Sequence, residues 1–177
     1  TVALKGLRDL VGLPASANLP DDVPGFHRGR IVGATGLLIP VRDEAGNVLA
    51  LKVRADRSDA KYVWFSSASE GGASPASPAH VPFGAAEMLA AGEGPRTVRV
   101  TEGPLKADVA TGLSGVVTVG IPGATAVRAL VPALQALSVD VVRLAWDADA
   151  RKPPKDPRRT NHVAGGMEFA AHLLSAE

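Results

Sequence analysis

Apolar and polar positions along this chain follow two regimes. In the first, Leu4, Leu7, Leu10 and Val11 recur at helical spacing within Val2 to Leu13, and the Pro14 to Pro24 stretch ends any helix there. Two apolar runs follow, Leu37 to Val41 and Val48 to Val53, around the turn formers Asp43-Glu44-Ala45-Gly46-Asn47, which predicts a β-hairpin. Lys61-Tyr62-Val63-Trp64-Phe65 predicts a third strand, because aromatic and β-branched side chains suit a pleated surface, and Ser66 to Ser77 is a Gly/Ser/Pro-rich loop. Up to about Phe83 the pattern is that of a small antiparallel β unit. From Arg96 it changes: strand Thr97 to Thr101, helix Leu105 to Leu113, strand Val116 to Val119, helix Ala124 to Leu137, strand Val139 to Trp146, and a last helix Val163 to Leu174. That alternation predicts successive right-handed βαβ units, hence an α/β fold whose mainly parallel sheet is flanked by helices. The expected organisation is an N-terminal helix and linker over 1–30, a β-rich subdomain over 31–95 and the α/β domain over 96–177.

Composition narrows the chemistry. The chain has 177 residues, enough for one core and a small appended subdomain, and is 46% hydrophobic but only 4% aromatic, so its core is built from Val, Leu, Ile and Ala. Cysteine is absent, which excludes disulfides, thiol catalysis and Cys-ligated zinc. The net charge of +1 means that any nucleic-acid contact needs a local basic patch. No apolar run approaches the roughly 20 residues that span a bilayer, and the N-terminus lacks the order of a signal peptide, so a cytoplasmic protein is expected. The chain opens on Thr1, and we expect a piece of a larger polypeptide.

In an open parallel sheet, ligands and catalytic groups gather beyond the carboxyl ends of the strands. Glu102 follows the first strand of the α/β part there, and Asp147 and Asp149 follow the third. A hard cation such as Mg²⁺ takes oxygen ligands from a few carboxylates, completing its shell with water and substrate phosphates. Gly103 lets the backbone turn sharply and leaves room for a phosphate, and Ala148 between the two aspartates adds neither charge nor bulk. Taken singly, Glu102 is also explained as a helix N-terminal acid, and Asp147 and Asp149 as turn formers. The pairing of Glu-Gly at one strand end with Asp-x-Asp at another favours the metal site, with Glu102, Asp147 and Asp149 as ligands of Mg²⁺ or Mn²⁺.

Val100-Thr101-Glu102-Gly103, the Val116 to Gly123 strand and loop, and Leu144-Ala145-Trp146-Asp147-Ala148-Asp149 together resemble the Toprim domain of primases, topoisomerases and certain nucleases. The hairpin from Gly36 to Arg54 followed by Lys61-Tyr62 is similar to the β-rich subdomain preceding Toprim in bacterial replicative primases. Lys61-Tyr62-Val63-Trp64-Phe65-Ser66-Ser67 and Glu102-Gly103-Pro104-Leu105-Lys106-Ala107-Asp108 look closer still to a Toprim-containing domain of unknown function in plasmid, phage and integrative-element replication proteins. The resemblance implies that Glu102 is a general acid or base and that Asp147 and Asp149 bind Mg²⁺. It also implies a primase-like nucleotidyltransferase core in the replication of a mobile element or chromosome, acting on single-stranded DNA and nucleotides, with a helicase or other domains of a larger replication protein as partners. A Toprim nuclease and a non-catalytic DNA-binding module are the alternatives.

Arg151, Lys152, Lys155, Arg158 and Arg159 crowd the Pro-rich loop after Asp149, a candidate patch for nucleic-acid phosphates or a solvated loop. Arg54, Lys61 and Lys106 are further phosphate candidates, Lys106 alternatively pairing with a carboxylate. Of Tyr62, Trp64 and Phe65, two are expected in the core and one is left to stack a base. Asp108 and Glu87 are expected to be ordinary helix-surface acids. His27, His80 and His162 are too scattered for a metal cluster, and there is no Walker A or Gly-x-Gly-x-x-Gly sequence.

Overall fold

The computed structural model describes residues 21–56, 60–147 and 162–175, and the chain divides into two units, one of residues up to Leu38 with Ala50–Ala76, the other of Ile39–Leu49 with Ser77 onward. The helix expected over Val2 to Leu13 lies outside the described residues.

A short antiparallel pair in the first unit, β1 (Phe26–His27) and β2 (Arg30–Ile31), precedes the sheet of β3 (Gly36–Arg42), β4 (Val48–Ala55) and β5 (Tyr62–Trp64), in the order β3-β4-β5, of which residues 39–42 of β3 and 48–49 of β4 are assigned to the second unit. The hairpin and third strand expected from the alternation are both present. β5 runs antiparallel to β4 with Lys52 opposite Trp64, Val53 opposite Val63 and Arg54 opposite Tyr62. Directly opposed residues share a face, so Val53 turns into the core while Lys52, Arg54, Tyr62 and Trp64 occupy the other side. Phe65 is buried against the backbone of Gly25 and Gly33, where a Cβ would come within 2.1 Å and 2.8 Å of its ring. Phe65 is therefore a core residue, and Tyr62 is the exposed member of the aromatic trio.

The residues joining β3 to β4 belong to the second unit. Asp43 closes this turn: its Oδ1 accepts the N–H groups of Ala45 (3.0 Å) and Asn47 (2.8 Å), and its Oδ2 accepts from Asn47 Nδ2 (2.9 Å). These bonds stabilise the ionised form and hold the Asp43 carboxyl below its ordinary range.

The core of the second unit surrounds a three-stranded parallel sheet of β6 (Thr97–Glu102), β7 (Thr118–Ile121) and β8 (Val141–Leu144), in the order β7-β6-β8. The fold is thus mixed α/β, with a parallel sheet flanked by helices and a small antiparallel sheet. Val98, Val100, Val119 and Ile121 of the sheet are buried with Val127, Leu130 and Leu134. Helix α2 (Pro104–Ser114) packs on β6 and β7, and α4 (His162–Ser175) on β8.

The elements depart from the expected pattern in several places, among them the β1/β2 pair and a third parallel strand confined to Val141–Leu144 where Val139 to Trp146 was expected. The helix implied around Glu87, for which the pattern set no bounds, is α1 (Ala85–Ala91) after Gly84; seven residues are too few to show a helical period. The helix expected over Ala124 to Leu137 is a 3₁₀ turn, Val127–Ala129, followed by α3 (Leu130–Ala136). Pro132 explains the break, since its ring obstructs the carbonyl four residues back, and starting the α-helix at Leu130 places it in the first turn, where its missing N–H costs nothing. The middle strand lies at Thr118–Ile121 rather than Val116–Val119, and so runs through Gly120. A Cβ on Gly120 would sit 2.8 Å from the Gly103 carbonyl oxygen and 3.1 Å from Ala107 Cβ, so glycine is what allows α2 to close onto the strand. No helix among the described residues is long and apolar enough to cross a membrane.

Candidate metal centre

The register of the sheet brings the acidic residues to one edge. Glu102 ends β6 opposite Ile121, Val100 pairs with Leu144, and the N–H of Ala145 donates to the Val100 carbonyl at 2.8 Å, so the chain leaves β8 toward Asp147 on the side where β6 ends. Gly103 then turns the chain with φ 88° and ψ 143°, a conformation closed to other residues, and Pro104 opens α2. Helix α2 buries its small side chains, Pro104, Ala107 and Thr111, against the sheet, and the Thr111 hydroxyl accepts the Thr118 N–H at 2.9 Å. Lys106, one turn in, points instead to the carboxylates: its Nζ donates to Asp147 Oδ2 at 2.5 Å.

Glu102, Lys106 and Asp147 therefore form one cluster. The Glu102 carboxyl is raised above its ordinary value, first by burial and then by the charge of Asp147, while Lys106 pulls the other way. A carboxyl raised in the folded state binds its proton more tightly there than in the unfolded chain. The ionised form consequently costs stability: the cost is absent below the ordinary glutamate value of 4.5, appears as pH rises through the raised value, and is complete above it. Glu102→Gln is expected to melt about 1–2 °C above the parent at pH 7.5, a small shift because Glu102 is only partly buried, with the gap closing below about pH 4. Melting curves across pH 3.5–8 check this; a gap constant with pH would remove the electrostatic cause.

The donor set fits a hard divalent ion in kind. Two carboxylates of like charge are brought together, one partly desolvated, and a cation relieves the repulsion that raises Glu102. The third carboxylate expected here, Asp149, lies outside the described residues, as do Arg151, Lys152, Arg158 and Arg159. Among the described residues no group of three or more His, Cys, Asp or Glu converges for a metal. Arg54 and Lys61 belong to the first unit, both exposed, with the Lys61 ammonium 5.6 Å from the centre of the Tyr62 ring.

One pair escaped the sequence reading. Asp108, expected to be an ordinary surface acid, has its Oδ1 2.9 Å from Nε2 of the fully buried His80. His80 Nδ1 accepts the Arg42 N–H at 3.1 Å, which leaves Nε2 as the protonated nitrogen that donates to Asp108. The His80 backbone exchanges hydrogen bonds with Gly120 of β7, 2.7 Å and 2.8 Å, as an isolated antiparallel bridge. Nothing in the local pattern marks this pair, whose members are 28 residues apart. It fixes the helix that carries Lys106.

A groove of about 570 Å³ between α3, β8 and α4 lies elsewhere, lined by Leu134, Val142, Leu144 and Leu174 with one carboxylate, Asp140. That carboxylate accepts the Arg96 N–H at 2.8 Å. No protein-family model, curated protein or solved structure matches this chain.

Proposed function

We propose that this chain is the Mg²⁺-dependent core of a primase-like nucleotidyltransferase of the Toprim type, serving the replication of a mobile element or chromosome in the cytoplasm. The observation that carries it is the meeting of Glu102 and Asp147 at the carboxyl edge of a parallel sheet, with Lys106 between the helix and the carboxylates. Asp147 and Asp149 hold the metal in this reading, and Glu102 completes its surroundings. A bound divalent ion supplies charge stabilisation at the transferring phosphoryl group and orientation of the triphosphate. Glu102, its carboxyl raised above the ordinary value by burial and by Asp147, takes up the proton released by the attacking hydroxyl. Lys106 offsets charge on the phosphates. Arg54, Lys61, Arg151, Lys152, Arg158 and Arg159 track the nucleic-acid backbone, with single-stranded DNA as template and a helicase or further domains of a larger replication protein as partners.

The test is incubation of labelled single-stranded DNA with NTPs, dNTPs and Mg²⁺ or Mn²⁺, with product length read on gels. Extension that Glu102→Gln and Asp147→Asn each reduce by about 100-fold is the expected result. Shortened products formed without nucleotides reassign the same carboxylates to phosphodiester cleavage; neither product, with DNA bound, leaves a binding module.

A further inference from the structure

We infer that Lys106 makes this centre take its metal more readily together with a polyphosphate than alone, an inference that rests on reading Asp147 as a metal ligand. The Lys106 ammonium sits 2.5 Å from Asp147 Oδ2, on an oxygen that a divalent ion needs. Both side chains are about half exposed, at 52% and 51%, so the ammonium is free to swing away without disturbing the core. The helix beneath it is not: Asp108 is tied to the buried His80, and Ala107 packs at Gly120, where even a Cβ would be 3.1 Å away. Any exchange at Asp147 is therefore confined to the lysine side chain.

Charge decides what drives the exchange. A divalent ion arriving alone takes the Asp147 oxygen and pushes the ammonium off its partner. Glu102, which also attracts Lys106, is drawn to the same ion. A nucleoside triphosphate brings anionic oxygens with the metal, so Asp147 passes to the ion as Lys106 passes to the phosphates, and each charge keeps a partner. Lys106 thus weakens binding of free metal and strengthens binding of metal with triphosphate. A purely structural lysine would weaken neither or both.

The experiment compares the parent, Lys106→Met, Lys106→Arg and Asp147→Asn. Mn²⁺ titration followed by electron paramagnetic resonance gives the affinity for free metal, and anisotropy of a fluorescent ATP analogue at saturating Mg²⁺ gives the affinity for metal with triphosphate. Lys106→Met is expected to bind Mn²⁺ about 3- to 10-fold more tightly and the ATP analogue about 10-fold more weakly, with Lys106→Arg returning both toward the parent. If Asp147→Asn reduces Mn²⁺ binding while Lys106→Met leaves it unchanged or lowers both affinities together, the inference is overturned and the metal reading stands. If Asp147→Asn leaves Mn²⁺ binding unaltered, the metal reading falls and the inference with it.

Discussion

Mg²⁺ at about ten times its dissociation constant is expected to raise the melting temperature of the parent protein by about 3–6 °C, and that of Asp147→Asn by less than 1 °C. A ligand that binds only the folded state stabilises it by RT ln(1 + [L]/Kd), about 1.4 kcal/mol at that concentration, and a domain of this size gains roughly 2–4 °C per kcal/mol. Asparagine keeps the size of aspartate and removes the charge. Asp147 is half exposed, so the substitution leaves packing intact, and Lys106 loses only a solvent-screened partner. Without metal the variant is expected to melt within about 1 °C of the parent. Calorimetry at fixed ionic strength separates specific binding from general screening; equal shifts in both proteins would take Asp147 out of the centre.

Gly120→Val is expected to be the most damaging single substitution near the site. The new Cβ meets the Gly103 carbonyl oxygen at 2.8 Å and Ala107 Cβ at 3.1 Å, the first a backbone atom and the second a methyl held rigidly on α2, so no flexible side chain can give way. Overpacking of this kind costs on the order of 1–3 kcal/mol, a fall of about 3–10 °C in melting temperature. Relief requires α2 to lift from β7, which moves Gly103 away from Ile121, the residue opposite Glu102, and carries Lys106 with it. The Mg²⁺-induced shift is therefore expected to shrink along with stability. Leu113→Ala on the same helix is the control: its side chain is 85% exposed, and the change is expected to stay within about 0.5 kcal/mol. A Gly120→Val protein that melts like the parent would mean that the helix does not approach the strand as closely as described.

The sequence alone determined the kinds of element and the edge of the sheet to which Glu102 and Asp147 belong. Alternating apolar positions and turn formers specified the β3/β4 hairpin, and the alternation of strand and helix after Arg96 specified parallel pairing; both are local signals, set by side-chain periodicity and backbone preference. They also put Glu102 and Asp147 at strand ends, and parallel strands necessarily end on one side, so their meeting was legible before any coordinates. What only the tertiary structure decided is non-local. Strand order β7-β6-β8 depends on which hydrophobic faces pack together, and no local pattern states it. Gly120 reads as the end of a strand until α2 is seen against it; its place inside β7 is a consequence of that close approach. Asp108 and Lys106 are two polar residues on one helix, alike in sequence. The fold gives the first a buried histidine 28 residues away and the second a carboxylate 41 residues away, because the identity of a polar side chain's partner is set by chain geometry rather than by its neighbours in sequence.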